Sequence, residues 1–162
     1  TWEQFEFVPE TVQAMRELAD DGFGFIVITN QAGIALGVVE EAEVDRIHEN
    51  MTAELGRRGI PVLDVYMSPD HWDSGSVMRK PAPGMFQLAS DEHRFRLDRV
   101  LYVGDDIRDC QAAAAAGCGM VFLAEADPVV QLPLNHRHCS RHRFLTDAVE
   151  VIQNFYGVET GS

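Results

Sequence analysis

Three apolar runs, each closing on polar residues, constrain this chain more than any other feature: "FGFIVITN" from Phe23, "PVLDVYMS" from Pro61 and "RVLYVGDD" from Arg99. A fourth, "GMVFLA", begins at Gly119. An unbroken apolar run of this length fits a strand buried on both faces of a parallel sheet, because a strand with one wet face alternates instead. The segments between them carry the helical period. In "PETVQAMRELADDG" Val12, Met15 and Leu18 fall at helical spacing between Pro9 and Gly22, a proline start and glycine stop. In "EEAEVDRIHENMTAELGRRG" Val44, Ile47, Met51 and Leu55 form one stripe behind an acidic first turn, which the helix macrodipole favours. Pro83 opens a helix over "GMFQLASDEHRF", and "DDIRDCQAAAAAG" predicts another with Gly117 as its C-cap. "FLTDAVEVIQNFYG" reads as a closing helix with Thr146 or Asp147 near its start, whereas "EADPVVQLPLNHRHCSRHR" has little periodicity.

Strands alternating with helices imply an α/β fold: a parallel sheet with right-handed crossovers and helices on both faces. In such sheets ligands bind beyond the carboxyl ends of the strands. Those ends are Thr29-Asn30, Ser68 and Gly104-Asp105-Asp106.

At 162 residues one domain, residues 1–162, suffices, and it buries about 70% of the surface its unfolded chain exposes. The formal net charge of −13, from 26 acidic against 13 basic residues, opposes a polyanionic partner, so no nucleic acid is expected. No apolar run approaches the roughly 20 residues that span a bilayer, and no membrane partner is expected. Cys110, Cys118 and Cys139 are odd in number and lack C-x-x-C spacing, which argues for a reducing, cytoplasmic setting. Lys80 is the single lysine beside twelve arginines.

The strand ends carry the chemistry. Asp105 and Asp106 follow a strand and precede a helix, the oxygen-donor setting that Mg²⁺ prefers, although Asp106 and Asp109 serve equally as caps of that helix. Thr29 and Asn30 offer a hydroxyl and neighbouring N–H groups for phosphoryl oxygens, or simply cap a turn. Lys80 sits in "RKPAPG", stiffened by two prolines beside Arg79, where a cation balances carboxylates and a phosphoryl group unless it is a solvated surface lysine. Together they describe a cleft that handles a small phosphorylated metabolite. The stretch 135–143, with His136, His138, Cys139 and His142, reads as a soft-metal site or a solvated basic loop.

The segments "FEFVPETVQAMRELADDGF", "VITNQAGIALG", "MRKPAPGM" and "VLYVGDDIRDCQAAAAAGC" closely resemble the haloacid dehalogenase superfamily, and within it the heptose 1,7-bisphosphate and histidinol-phosphate phosphatases. The likeness runs in order from about Phe5 to Leu123. It implies a Rossmann-like αβα domain that hydrolyses phosphate monoesters with Mg²⁺ through an aspartyl-phosphate. It also implies that Thr29, with Asn30 beside it, binds the phosphoryl group, and that Lys80 neutralises nucleophile and phosphate. Asp105 would ligate Mg²⁺, Asp109 would brace the loop and support Lys80, and Arg79 is similar to an arginine that contacts substrate phosphate.

Two departures from the family pattern shape the expectation. The D-x-D-G motif carrying nucleophile and general acid/base belongs on a strand upstream of "FEFVPE", and the "DDG" at Asp20 reads as a turn. The expected protein is therefore a phosphatase domain whose first strand and nucleophile precede Thr1, with negligible hydrolysis by these 162 residues. Many relatives hold zinc between the second strand and the lysine, but "SPDHWDSGSVMRK" has no cysteine and His71 alone cannot complete a four-coordinate site. No structural zinc is expected, and Trp72 packs in this loop or touches ligand. A catalytically inactive phosphate-binding or regulatory domain is the alternative. A polynucleotide 3′-phosphatase shares the "TNQ" type of motif but conflicts with the charge.

Overall fold

A computed structural model describes residues 1–71, 73–125 and 138–159. Helix α1 (Pro9–Asp20) precedes strand β1 (Phe25–Asn30), and β2 (Val62–Ser68) follows the short α2 (Ala32–Ala35) and the long α3 (Glu41–Arg57). Helix α4 (Gly84–His93), β3 (Leu101–Gly104), α5 (Ile107–Ala116), β4 (Gly119–Leu123), β5 (Cys139–His142) and α6 (Leu145–Phe155) complete the order. The α/β alternation is the one the apolar runs imply.

Every described strand pair is parallel, but the strands form two sheets, β1-β2 and β3-β4-β5. Helices cover both faces. On one, Ala14 and Leu18 of α1 meet Val121 and the Leu145, Ala148, Val149 and Ile152 stripe of α6. On the other, Phe86 of α4 and Cys110, Ala112 and Ala113 of α5 pack on Met120 and Phe122 of β4. The alanines let α5 approach the sheet closely.

Strand β5 lies in the segment whose sequence shows little periodicity. Among the described residues it pairs only with β4, so four residues of mixed polarity suffice and leave no apolar signature. His136 of the same stretch lies outside the described residues, as does Trp72.

Two helix starts are fixed by carboxylates. At α5, Asp106 is the N-cap: its side chain accepts the Arg108 N–H at 2.8 Å, and Asp109 reaches back to the Asp106 N–H at 3.1 Å, a reciprocal capping box. Gly117 closes the helix at φ 86°, a conformation glycine adopts without cost. At α6 the cap comes from 136 residues away: Glu10 Oε1 of α1 accepts both the N–H and the hydroxyl of Thr146 at 2.6 Å. The local sequence places Thr146 near the start; its partner is invisible there.

Two outcomes follow for stability. Glu10→Ala leaves the Thr146 N–H without its acceptor and should cost about 1.5 kcal/mol, a melting-point drop of roughly 3–6 °C by calorimetry. Arg108, through its side chain and then its N–H, holds the Asp106 carboxyl down to about 2. A depressed folded-state value stabilises above the unfolded value near 4 and is lost as pH falls toward 2. Asp106→Ala should therefore melt lower than the parent at pH 6, by about 1 kcal/mol for a lost cap, with the gap closing by pH 2.

Candidate active site

The carboxyl ends of β1 and β3 converge on Lys80. Its backbone is held first: the Asn30 amide donates to the Lys80 carbonyl at 3.1 Å and accepts the Lys80 N–H at 3.1 Å. Both polar ends of Asn30 are thus committed to the lysine loop, and its side chain acts as a clamp. From the other side the Gly84 N–H donates to the Val77 carbonyl at 2.8 Å, and a Cβ on Gly84 would collide with that same carbonyl. The loop before Lys80 is therefore pinned to the start of α4, where a glycine is required for the close approach.

The Lys80 ammonium lies against three oxygens: Asp109 Oδ1 at 2.5 Å, the Tyr102 hydroxyl at 3.2 Å and the Ile28 carbonyl at 3.4 Å. Asp109 is 4% exposed. A buried carboxylate survives only when paired and hydrogen-bonded, and Lys80 and the Asp106 N–H supply both. Gly104 makes room for it, since a Cβ there would meet Asp109 Oδ2 at 2.5 Å.

The three aspartates of "GDDIRD" thus have three different surroundings. Asp109 faces Lys80. Asp106 caps α5 and is forked by Arg108, with contacts of 3.0 Å to each carboxylate oxygen, so its carboxylate is engaged in holding the helix start. Asp105 is exposed and makes no hydrogen bond or ion pair among the described residues. An exposed, uncommitted carboxylate directly after the carboxyl end of β3 suits a hard divalent cation, which takes one or two carboxylates and fills its shell with water and phosphate oxygens.

Thr29 ends β1 with its hydroxyl only loosely engaged, donating to the Asn30 carbonyl at 3.4 Å. Arg79 is buried, donates to the Asp70 carbonyl at 3.2 Å and has no ion pair among the described residues. His71 pairs with Asp73. His138, Cys139 and His142 lie at β5, and among the described residues no group of three or more His, Cys, Asp or Glu is placed to hold a metal. The Cys110 and Cys118 thiols are buried in the core and pushed up to about 12 by that burial, which removes them as nucleophiles.

Tyr102 is the site residue that sequence reasoning missed. It sits mid-strand in β3, with Phe86 edge-on at 4.7 Å and its hydroxyl donating to Ile28 at 3.1 Å. Burial, then the Asp109 charge, pushes its phenol far above the ordinary range. The available signal was a polar tip on an otherwise apolar strand, since a buried tyrosine hydroxyl needs a partner.

That hydrogen bond spans the boundary between the two sheets. Beside it an apolar cavity of about 440 Å³ lies between β1 and β3, lined by Ile26, Ile28, Phe86, Leu101 and Tyr102. A second, of about 250 Å³, touches the opposite side of the same boundary at Phe25, Ile26, Tyr102 and Val103.

Known proteins are similar to this chain in sequence and fold. The family model described as polynucleotide kinase 3 phosphatase matches residues 1–117. The D-glycero-beta-D-manno-heptose-1,7-bisphosphate 7-phosphatase of Escherichia coli is 40% identical over 129 residues, 75% of this chain and 67% of that protein. The D-glycero-alpha-D-manno-heptose-1,7-bisphosphate 7-phosphatase of Photorhabdus laumondii is 29% identical over 150 residues, 88% of this chain and 81% of that one. The crystal structure of D,D-heptose 1,7-bisphosphate phosphatase from B. bronchiseptica, complexed with magnesium and phosphate, superposes with a TM-score of 0.81 at 28% identity, covering 95% of this chain and 87% of that one. With this much of its length matched and in this fold, the chain belongs to the polynucleotide kinase 3 phosphatase family, within the haloacid dehalogenase superfamily of phosphatases.

Proposed function

We propose that this protein is a Mg²⁺-dependent phosphate monoester hydrolase acting on a small sugar phosphate of the heptose 1,7-bisphosphate type. The observation that carries the reading is Lys80, a clamped ammonium at the meeting point of two strand ends with the uncommitted Asp105 carboxylate beyond it. Thr29 and Lys80 receive phosphoryl oxygens, Arg79 supplies a further buried cation to the substrate, and Asp109 holds Lys80 in place. Asp105 holds Mg²⁺, which when bound neutralises phosphate charge. Asp106, engaged by Arg108, is the second candidate ligand through the remaining lone pair of its Oδ2.

The nucleophile is an aspartate on a strand lying between β1 and β3, so that the catalytic chain extends upstream of Thr1. Two facts support this. Among the described residues the facing edges of β1 and β3 lack a ladder partner, and the space between them is walled by apolar side chains. A strand parallel to both would place its carboxyl end beside Lys80. There its carboxylate would attack phosphorus as the phosphorus–oxygen bond to the sugar breaks, the departing sugar oxygen taking a proton from the general acid of the same D-x-D-G motif, and water would then hydrolyse the aspartyl-phosphate to release phosphate and restore the carboxylate.

The small-molecule substrate follows from charge and from the relatives. A net charge of −13 disfavours a polynucleotide despite the family model's description, and the similar proteins are described as acting on heptose bisphosphates. Histidinol phosphate is the alternative substrate.

Phosphate release from heptose 1,7-bisphosphate should be negligible for residues 1–162. It should become Mg²⁺-dependent and robust in a longer protein carrying the residues encoded before Thr1. Robust turnover by the 162 residues alone, or an upstream sequence without D-x-D, sinks the nucleophile assignment; Mg²⁺-dependent phosphate binding without turnover in the longer protein identifies a binding domain instead. Asp105→Asn in the longer protein should lower kcat by about 10²-fold or more with the melting point unchanged, because Asp105 has no structural partner.

A further inference from the structure

We propose that Ser68 and Asp70 are positioning residues that keep Arg79 open to an anion: the Ser68 hydroxyl holds the Asp70 carboxylate away from a guanidinium it would otherwise pair with. The arrangement itself stands on geometry; its consequence for substrate rests on the reading of Arg79 given above.

The observation is an inverted pairing. Arg79 is 8% exposed, and its guanidinium donates to the Asp70 carbonyl at 3.2 Å. The carboxylate of the same residue instead accepts the Ser68 hydroxyl at 3.3 Å, and Arg79 has no ion pair among the described residues. A charge-assisted hydrogen bond is about twice as strong as a neutral one, so a contact serving stability alone would turn the carboxylate to the cation and leave the carbonyl to the hydroxyl. A guanidinium carries several N–H donors in a rigid fork, and those that Asp70 does not meet suit an anion with several oxygens.

Both ends of the arrangement are fixed by backbone. Ser68 closes β2 in register with Asn30 of β1, and its carbonyl accepts the Gln31 N–H at 2.7 Å. Its side chain is fully buried, so its hydroxyl needs an acceptor inside the protein, and Asp70 supplies it. The Arg79 N–H donates to the Ser76 carbonyl at 3.3 Å, and the Arg79 carbonyl accepts the Ala82 N–H at 2.9 Å, in a turn that encloses Lys80. These contacts lie on the β2 side of β1 and in the loop after β2. A strand entering at the opposite edge of β1, toward β3, leaves them in place.

Asp70 already touches Arg79 through its backbone oxygen, so a side-chain rotation is what separates the observed state from an ion pair. An arriving phosphate would have to break such a pair. Ser68 decides which state exists.

In the longer protein Ser68→Ala frees the carboxylate, and a crystal structure should show it within about 4 Å of the Arg79 guanidinium, ion-pair distance. The same variant should raise KM for heptose 1,7-bisphosphate by about tenfold with kcat little changed. Adding Asp70→Asn removes the competing charge and should return KM to within about twofold of the parent. A folded Ser68→Ala protein whose Asp70 carboxylate stays off Arg79 overturns the proposal. So does a raised KM that Asp70→Asn fails to restore, since lost packing alone persists in the double variant. If the carboxylate pairs with Arg79 while KM is unchanged, the role of Ser68 stands and the reading of Arg79 as a substrate contact fails. A crystal structure of the unaltered longer protein with Asp70 already paired to Arg79 overturns the proposal even if no variant folds.

Discussion

The ion pair between Lys80 and Asp109 is the contact on which this site depends. It joins the loop after β2 to the first turn of α5, and its neighbours reach both sheets through Ile28 and Tyr102. A buried pair is poor evidence of stability, because desolvation consumes most of the attraction. Its value is in specification: either partner alone would be an uncompensated charge in the core, so the loop and helix must meet in this arrangement. Gly104 and Asn30 have the same logic. Gly104 leaves the space that Asp109 fills, and Asn30 matches both the donor and the acceptor of the Lys80 backbone.

Around that pair the sheet is divided. Unpaired strand edges ordinarily invite other chains, yet β1 and β3 face each other across apolar walls, with a tyrosine hydroxyl crossing between them in place of a backbone ladder. The crossing lies near the carboxyl end of β1. The Ile28 carbonyl belongs to the edge that any inserted strand would use, and it is also the acceptor shared by Lys80 and Tyr102.

How much of this was legible depended on whether the cause was local. The strands were legible because burial on both faces leaves an apolar run, and the carboxyl ends pointed to Thr29, Lys80 and Asp105. Capping by Asp106 and Asp109 was one of two readings open beside metal ligation, and the structure shows a capping box there. What the sequence hid was distant or faint. The Asn30 clamp joins residues 50 apart and the Glu10 cap joins residues 136 apart. Strand β5 is short, polar and at an edge, so no periodicity marks it. Tyr102 looked like one more apolar strand residue, because its ring satisfies the pattern and only its hydroxyl serves the site.

The charges around Lys80 carry the argument one step further. Lys80 is neutralised by Asp109, and Asp106 by Arg108. Arg79 and Asp105, which have no ion pair among the described residues, carry opposite signs. The site is therefore close to neutral, inside a protein whose net charge of −13 repels anions. A phosphate monoester dianion entering such a site meets no surplus of positive charge. On the proposed reading a divalent cation at Asp105 offsets the charge of the arriving phosphate, which couples anion binding to cation binding. An exposed, unpartnered carboxylate next to a saturated ammonium is the arrangement that such coupling requires.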